Sequence, residues 1–217
     1  FRSRRSKPGN VEIASYHLPS GRVGKTILHP RFQQDDHNNP AFLALPDGRY
    51  LAVYNRHAVE RKVFIRFSEP GDPLKWGPPK VFETPGSDRR YAGDNVTYSN
   101  LFLLQSGRIL NLFRGFSHDP NYMYSDDGGE SWEYGGRLLE GRDGYSPYLK
   151  YAFDGEKTIH FVVTEDHPRN YDNSLYHGFI RDGSIFHSSG EKATDLSSTT
   201  DAPIAAWELT RIFQGDP

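Results

Sequence analysis

Short apolar runs alternate along this chain with clusters of turn residues, and the i, i+3, i+4 spacing of a long amphipathic helix is absent. Runs rich in Val, Ile, Leu, Phe and Tyr end at Gly, Pro, Asp and Asn, which predicts many short strands joined by tight turns. One unit is legible at once: Ala41 to Leu45 meets a turn at Pro46-Asp47-Gly48, and Tyr50 to Tyr54 leads back. This hairpin, "NPAFLALPDGRYLAVYNR", is followed by "YSNLFLLQSGRILNLFRG" and "SPYLKYAFDGEKTIHFVVTE". The turn glycines Gly48, Gly107 and Gly155 stand 59 and 48 residues apart. Further strands are expected after each hairpin, in "KVFIRFSE" and "PKVFET", in "NYMYS" and "GGRLLE", and in "SLYHGFIRDGSIFHSS". An earlier partial unit lies in "VEIASYHLPSGRVGKTILHP".

A repeat of about 40–50 residues with four short strands is the pattern of a β-propeller blade. The expected fold is therefore all-β, a β-propeller of which about three to four blades are visible. The expected division is one domain, 1–217: a partial blade at 1–30, blades at 35–85, 93–140 and 143–190, and a linker to the next blade at 191–217. Closed propellers have about 4–8 blades, so the remaining blades are expected from the rest of a longer chain or from a second segment. The start at Phe1 and the turn-like end Gly215-Asp216-Pro217 suggest a processed or excerpted chain. "SDDGGESW", Ser125 to Trp132, fits the Asp-box S-x-D-x-G-x-[ST]-W, a structural turn of the outer rim. There Asp127 can bond turn amides, Gly129 can take positive φ and Trp132 can pack under the neighbouring sheet. "SEPGDPLKW", ending at Trp76, looks like a degenerate copy.

Composition narrows the function. The 217 residues carry a formal charge of −2, without the basic stripe of a nucleic-acid binder. No apolar run approaches the roughly 20 residues of a membrane span. Cysteine is absent, which removes disulfides and thiolate zinc sites within the chain. Aromatics make up 14% of residues, and tyrosine-rich surfaces suit sugars as well as proteins. The Arg2, Arg4, Arg5, Lys7 cluster reads as a solvated arm.

In a blade, the start of strand one and the end of strand two lie on the same rim. His37 precedes strand one of the first unit and His57 follows its strand two; Tyr98 and Arg114 hold the same places in the next unit. All four are thus expected at one mouth of a channel, where propeller active sites are usually built. Each has a plainer reading: His37 as a turn cap, His57 as a surface histidine, Tyr98 as a packing ring, Arg114 as half of a structural salt bridge. One topological argument joins them. A sialidase-like hydrolase needs three arginines, whereas one is well placed. A glycosidase needs two opposed carboxylates; Asp35, Asp36 and Asp94 are candidates, none clearly paired. A His-His-Tyr-Arg set suits proton abstraction beside a carboxylate. An arginine or protonated histidine neutralises the uronate, a histidine or tyrosinate takes the C5 proton, and a tyrosine hydroxyl protonates O4. Arg114 and a protonated His57 are expected to lower the pKa of Tyr98. If C5–H and O4 share a face of the sugar, Tyr98 serves as base and acid; if not, His37 is the base.

"DDHNNPAFLALPDGRYLAVYNRH", "GDNVTYSNLFLL", "ILNLFRG", the Asp-box and "DHPRNYDNSLYHGFI" together resemble the BNR-repeat propeller polysaccharide lyases, notably ulvan lyases, from about Asp35 onward. The resemblance implies a seven-bladed propeller that cleaves sulfated rhamnose–uronate polysaccharide by β-elimination and leaves an unsaturated uronate. It implies His37 and Tyr98 as the acid/base residues, and Arg114, helped by His57, as the carboxylate neutraliser. Asn38, Asn39, Arg56, Tyr145, His167, Arg169 and Asn173 are candidate substrate contacts. His167, Arg169, Asn173 and His177 could instead bind a structural ion. The chemistry calls for no cofactor, and no metal ligand is assigned, although some members of the family carry a structural metal with cysteine ligands. The expected partner is an acidic polysaccharide, neither nucleic acid nor membrane, and the expected location is secreted or periplasmic. The alternatives are a sialidase-like glycoside hydrolase and a non-catalytic carbohydrate-binding propeller.

Overall fold

A computed structural model of the chain describes residues 9–86, 95–142, 145–169 and 171–215. The arginine arm before residue 9, Asp94 and the final Asp216-Pro217 lie outside the described residues, as do parts of the expected blade boundaries at 93 and 143. The described residues form β-strands and three 3₁₀ turns. A two-stranded hairpin comes first, β1 (Val11–His17) and β2 (Arg22–His29). The next sheet contains β3 (Ala41–Ala44), β4 (Tyr50–Tyr54), β5 (Lys62–Glu69) and β6 (Asp72–Trp76), with β7 (Lys80–Glu83) also on β5. The third runs β8 (Thr97–Leu103), β9 (Ile109–Arg114), β10 (Pro120–Ser125), β11 (Glu133–Arg137). The fourth runs β12 (Leu149–Phe153), β13 (Ile159–Thr164), β14 (Leu175–Arg181), β15 (Ser184–His187), β16 (Lys192–Asp195), and β17 (Thr210–Phe213) pairs with β14.

The three repeated hairpins are the first two strands of the three larger sheets, each in antiparallel register. Their turns put Gly48, Gly107 and Gly155 at φ +84, +89 and +87. Only glycine adopts that conformation without a Cβ clash, which is why it recurs there. This is a segment of a β-propeller, as expected. The segment 191–217 departs from the expected linker: β16 and β17 are strands of the fourth sheet. Polar residues such as Lys192, Asp195 and Arg211 mask these strands in sequence, because both lie at sheet edges where one face meets solvent. Another strand, β6, was not separated from its neighbours in the sequence; it folds back on β5 at Pro70-Gly71.

The core lies between sheets. On β4, Leu51 and Val53 face the β8–β11 sheet, with Ile109, Phe113, Met123 and Trp132, while Ala52 and Tyr54 face the first hairpin, with Val11, Leu28 and Phe32. On β9, Ile109 and Phe113 belong to that same layer, whereas Leu110 and Leu112 pack on Ile159, Phe161 and Val163 of β13. Side chains alternate along a strand, so a second strand buried on both faces must be apolar at every step. That accounts for the unbroken apolar run at Tyr50–Tyr54 and for the apolar residues of Ile109–Phe113, where Asn111 alone is polar and buried. Between β10 and β11, the Ser131 amide and hydroxyl donate to Asp127, Gly129 sits at φ +94, and the Trp132 indole donates to the Gly129 carbonyl. The Trp76 indole makes the equivalent bond to the Pro73 carbonyl.

Candidate functional site

The first strands β3, β8 and β12 flank a cavity of about 660 Å³, lined among others by His37, Asn39, Tyr98, Asn100, Arg114, Tyr148 and Lys150. His37 enters from the loop before β3. Its amide and its Nδ1 both lie on Asp35 Oδ1, at 2.8 and 2.6 Å, and Asp36 Oδ1 is 3.1 Å from the same nitrogen. His57 follows β4. Gln33 clamps it by both backbone groups: the His57 amide donates to Gln33 Oε1 at 2.7 Å, and Gln33 Nε2 donates to the His57 carbonyl at 3.0 Å. His57 Nδ1 is 3.1 Å from Asp35 Oδ2, so one carboxylate holds two imidazoles. The two rings stack, with centroids 4.3 Å apart and planes at 22°.

Asp35 accepts these hydrogen bonds as an anion. Partial burial acts to raise its pKa, but bonds from the His37 amide and the two imidazoles outweigh that and hold it at about 2. An ionised carboxylate 2.6 Å from an imidazole nitrogen requires a proton between them. Each histidine therefore donates Nδ1–H to Asp35, which leaves Nε2 as the ring nitrogen turned away from the carboxylate.

Tyr98 completes the cluster, its ring centroid 5.9 Å from that of His37 and 6.0 Å from that of His57. It stands at a β-bulge. Thr97 pairs with Arg114 and Asn100 with Leu112, so one extra residue sits on β8, and Tyr98 takes φ +61. Left-handed backbone at a bulky aromatic is strained. Three asparagines, two of them buried, support it. Asn111 accepts the Asn100 amide at 3.1 Å and donates to Ser99 Oγ, Ser99 donates to Asn55 Oδ1, and Asn100 Nδ2 donates to the Tyr98 carbonyl at 2.6 Å. The bulge turns Tyr98 out of the strand's alternation and toward the histidines.

The guanidinium of Arg114 lies over two rings, 4.9 Å from the Tyr98 centroid and 5.2 Å from that of Tyr148. Among the described residues it has no carboxylate partner, so the structural salt bridge weighed from sequence is not formed there. The expected lowering of the Tyr98 pKa is overturned. Burial, the hydrogen bond to Tyr148 and repulsion from its oxygen push the Tyr98 phenol up to about 12; Arg114 opposes the rise without cancelling it, and Asp35 adds to it.

The candidate substrate contacts divide. Asn39 lines the cavity, its amide donating to the Asp36 carbonyl. His167 meets the edge of Tyr148 at 4.9 Å, and its Nδ1 accepts the Arg169 amide. Asn38 is buried and donates to the Gln33 carbonyl. Arg56 pairs with Glu60 at 3.3 Å and lies over Phe32. Tyr145 packs on Tyr171, and Asn173 holds its loop through the Asp166 amide and the Tyr171 carbonyl. The structure thus places Asn38, Arg56, Tyr145 and Asn173 in loop packing, and the exposed Arg169 does not line the cavity. His177 sits on β14 beside His160, Nε2 to Nδ1 at 3.2 Å, away from the cluster. Two residues were missed. Tyr148 precedes β12 as Tyr98 opens β8, so the same rim rule would have found it. Asp35 was weighed only as a glycosidase carboxylate; standing two residues before His37 was its signal.

A family model described as BNR repeat-containing family member matches residues 5–213. Among solved structures, the fold is similar to a PL25 ulvan lyase bound to -[GlcA(1-4)Rha3S]-, with a TM-score of 0.68 and 18% identity over 94% of this chain and 53% of that one. A second PL25 ulvan lyase structure gives a TM-score of 0.69 at 18% identity with the same coverage. The polysaccharide lyase Uly1 gives 0.62 at 15% identity, over 94% and 54%. The chain spans about half the length of these proteins. No curated protein matches it.

Proposed function

The chain belongs to the BNR repeat-containing family, and from that premise we propose that it is a polysaccharide lyase that cleaves a uronate-containing polysaccharide of the sulfated rhamnose–uronate type by β-elimination. The observation that carries this reading is Arg114: a guanidinium stacked on Tyr98 and Tyr148, with no carboxylate partner among the described residues, beside an imidazole oriented by Asp35. Its planar fork has the geometry to receive a carboxylate that the substrate brings.

In the proposed reaction Arg114 pairs with the uronate carboxylate and so acidifies the C5 proton and stabilises the enolate-like anion. His37 Nε2 takes that proton, and Asp35 stabilises the imidazolium that forms. The C5 electrons make the C4–C5 double bond as the C4–O4 bond breaks. Tyr98 gives its hydroxyl proton to O4. The raised phenol pKa favours this assignment, because a group at about 12 is protonated near neutrality and serves as acid rather than base. His37 is the base because it lines the cavity, whereas His57 stacks behind it and shares its carboxylate. Neither step calls for a cofactor. Among the described residues lining the cavity, Asp36 is the carboxylate, which does not supply the opposed pair of a glycosidase. Such an enzyme acts on extracellular polysaccharide, secreted or in the periplasm.

The test is incubation with ulvan, followed by the ultraviolet absorbance of the C4–C5 double bond. A lyase produces that chromophore. New reducing ends without it would instead indicate a sialidase-like hydrolase, and binding with neither product a carbohydrate-binding propeller.

A further inference from the structure

Asp35, His37 and His57 bring one carboxylate and two imidazole nitrogens within 4.8 Å of one another, and we propose that this trio binds a divalent transition-metal ion of the zinc class, whose arrival removes the catalytic base. The binding stands on the geometry alone, whereas the inhibition rests on the lyase reading above.

The donor set is of the right kind. Two imidazoles and a carboxylate select zinc, nickel or copper, whereas magnesium and calcium prefer oxygen. The donors lie within 4.8 Å of one another, so modest rotation of the side chains would close them on one ion. Bonds of about 2.0–2.1 Å in a tetrahedron put neighbouring donors about 3.3 Å apart, and here Asp35 Oδ1 stands 2.6 Å from His37 Nδ1 and Asp35 Oδ2 stands 3.1 Å from His57 Nδ1. Replacing two shared protons by one cation opens the 2.6 Å contact most and the 3.1 Å contact little. Asp36 Oδ1, 3.1 Å from His37 Nδ1, offers a further oxygen. The loop is already set, by the Gln33 clamp on His57 and by the His37 amide on Asp35. The His37 side chain is 45% exposed, so an ion enters from solvent without the fold opening.

The two states exclude each other. The ion needs the Nδ1 lone pair of each ring. A neutral ring must then carry its proton on Nε2, and a protonated ring releases one proton to solvent. Either way His37 Nε2 becomes N–H and no longer accepts the C5 proton. Asp35 and Asp36 are the carboxylates at direct contact with the imidazoles, and Tyr98 on β8 and Arg114 on β9 stand on the neighbouring sheet.

The experiment is titration of the whole chain with zinc alone, with calorimetry and a count of metal retained after gel filtration. The expected result is one ion per chain at the trio, weakened at least ~10-fold in Asp35→Asn and in His57→Gln. His160→Gln, which breaks the exposed pair His160–His177, should leave that ion in place. Absence of retained zinc, equal affinity in Asp35→Asn, or loss in His160→Gln alone would overturn the site. These readouts need no turnover, so failure of the lyase reading leaves them intact. If ulvan cleavage is seen, saturating zinc should suppress it and a chelator should restore it. Cleavage indifferent to bound zinc would overturn the inhibition.

Discussion

Tyr98→Phe removes one oxygen from the candidate site and tests whether Tyr98 is an acid or a base. Burial and the Tyr148 hydroxyl push its pKa up to about 12. At pH 7 the phenolate is then about one part in 10⁵, and a mechanism that uses it as base forfeits about 7 kcal/mol, five units at about 1.36 kcal/mol each. As an acid the same group is wholly in its active form. Losing a positioned general acid lowers turnover by about 10²–10⁴-fold, or about 3–5 kcal/mol of barrier. The fold should lose only the hydrogen bond to Tyr148, about 1 kcal/mol, and phenylalanine keeps the ring under Arg114. The assay is initial chromophore formation on ulvan from about pH 8 to about pH 10. With Tyr98 as acid, the wild-type rate is level across that range. With its phenolate as base, the rate climbs about tenfold per pH unit. A Phe variant that retains most of its turnover, or a wild-type rate that climbs in this way, would refute the assignment.

Arg114→Lys should keep the fold, since no ion pair among the described residues is lost, while ulvan turnover falls by about 10²–10³-fold because an ammonium lacks the planar fork; near-normal kinetics would make Arg114 structural. Asn111→Leu should lower stability by about 1–3 kcal/mol in denaturation curves, because it strands the Asn100 amide and takes away the donor that Ser99 Oγ accepts; an unchanged midpoint would remove the asparagine network from the account of the bulge. Asp119 is buried against Arg137 at 3.2 Å, and burial, ahead of the bonds from Gly141 and Arg137 that oppose it, raises its pKa from 3.8 to about 6. The folded protein then binds this proton more tightly than the unfolded chain, so stability falls as pH rises from about 4 to about 6, by about 3 kcal/mol in all. Asp119→Asn should flatten that slope in denaturation curves taken at several pH values, and an unchanged slope would contradict it.

The three hairpins were legible because alternation and turn chemistry are local: apolar residues on both faces of β4 and β9, and a glycine at the positive-φ position of each hairpin turn. The rim rule also needed only strand order, and it brought His37, His57, Tyr98 and Arg114 to one place. Strands β16 and β17 were hidden because edge strands carry polar residues on their open face, which reads as linker. Asn38, Arg56, Tyr145 and Asn173 looked like substrate contacts because a polar residue in a loop reads the same whether it faces a ligand or holds the loop. The bulge at Tyr98 left no local mark, since its support comes from Asn55 just past β4 and Asn111 on β9. The ionisation of Tyr98 was misread from sequence for the same reason. A nearby cation is visible as an arginine in the chain, whereas desolvation and the Tyr148 hydroxyl exist only once three first strands are packed side by side, and together they outweigh it.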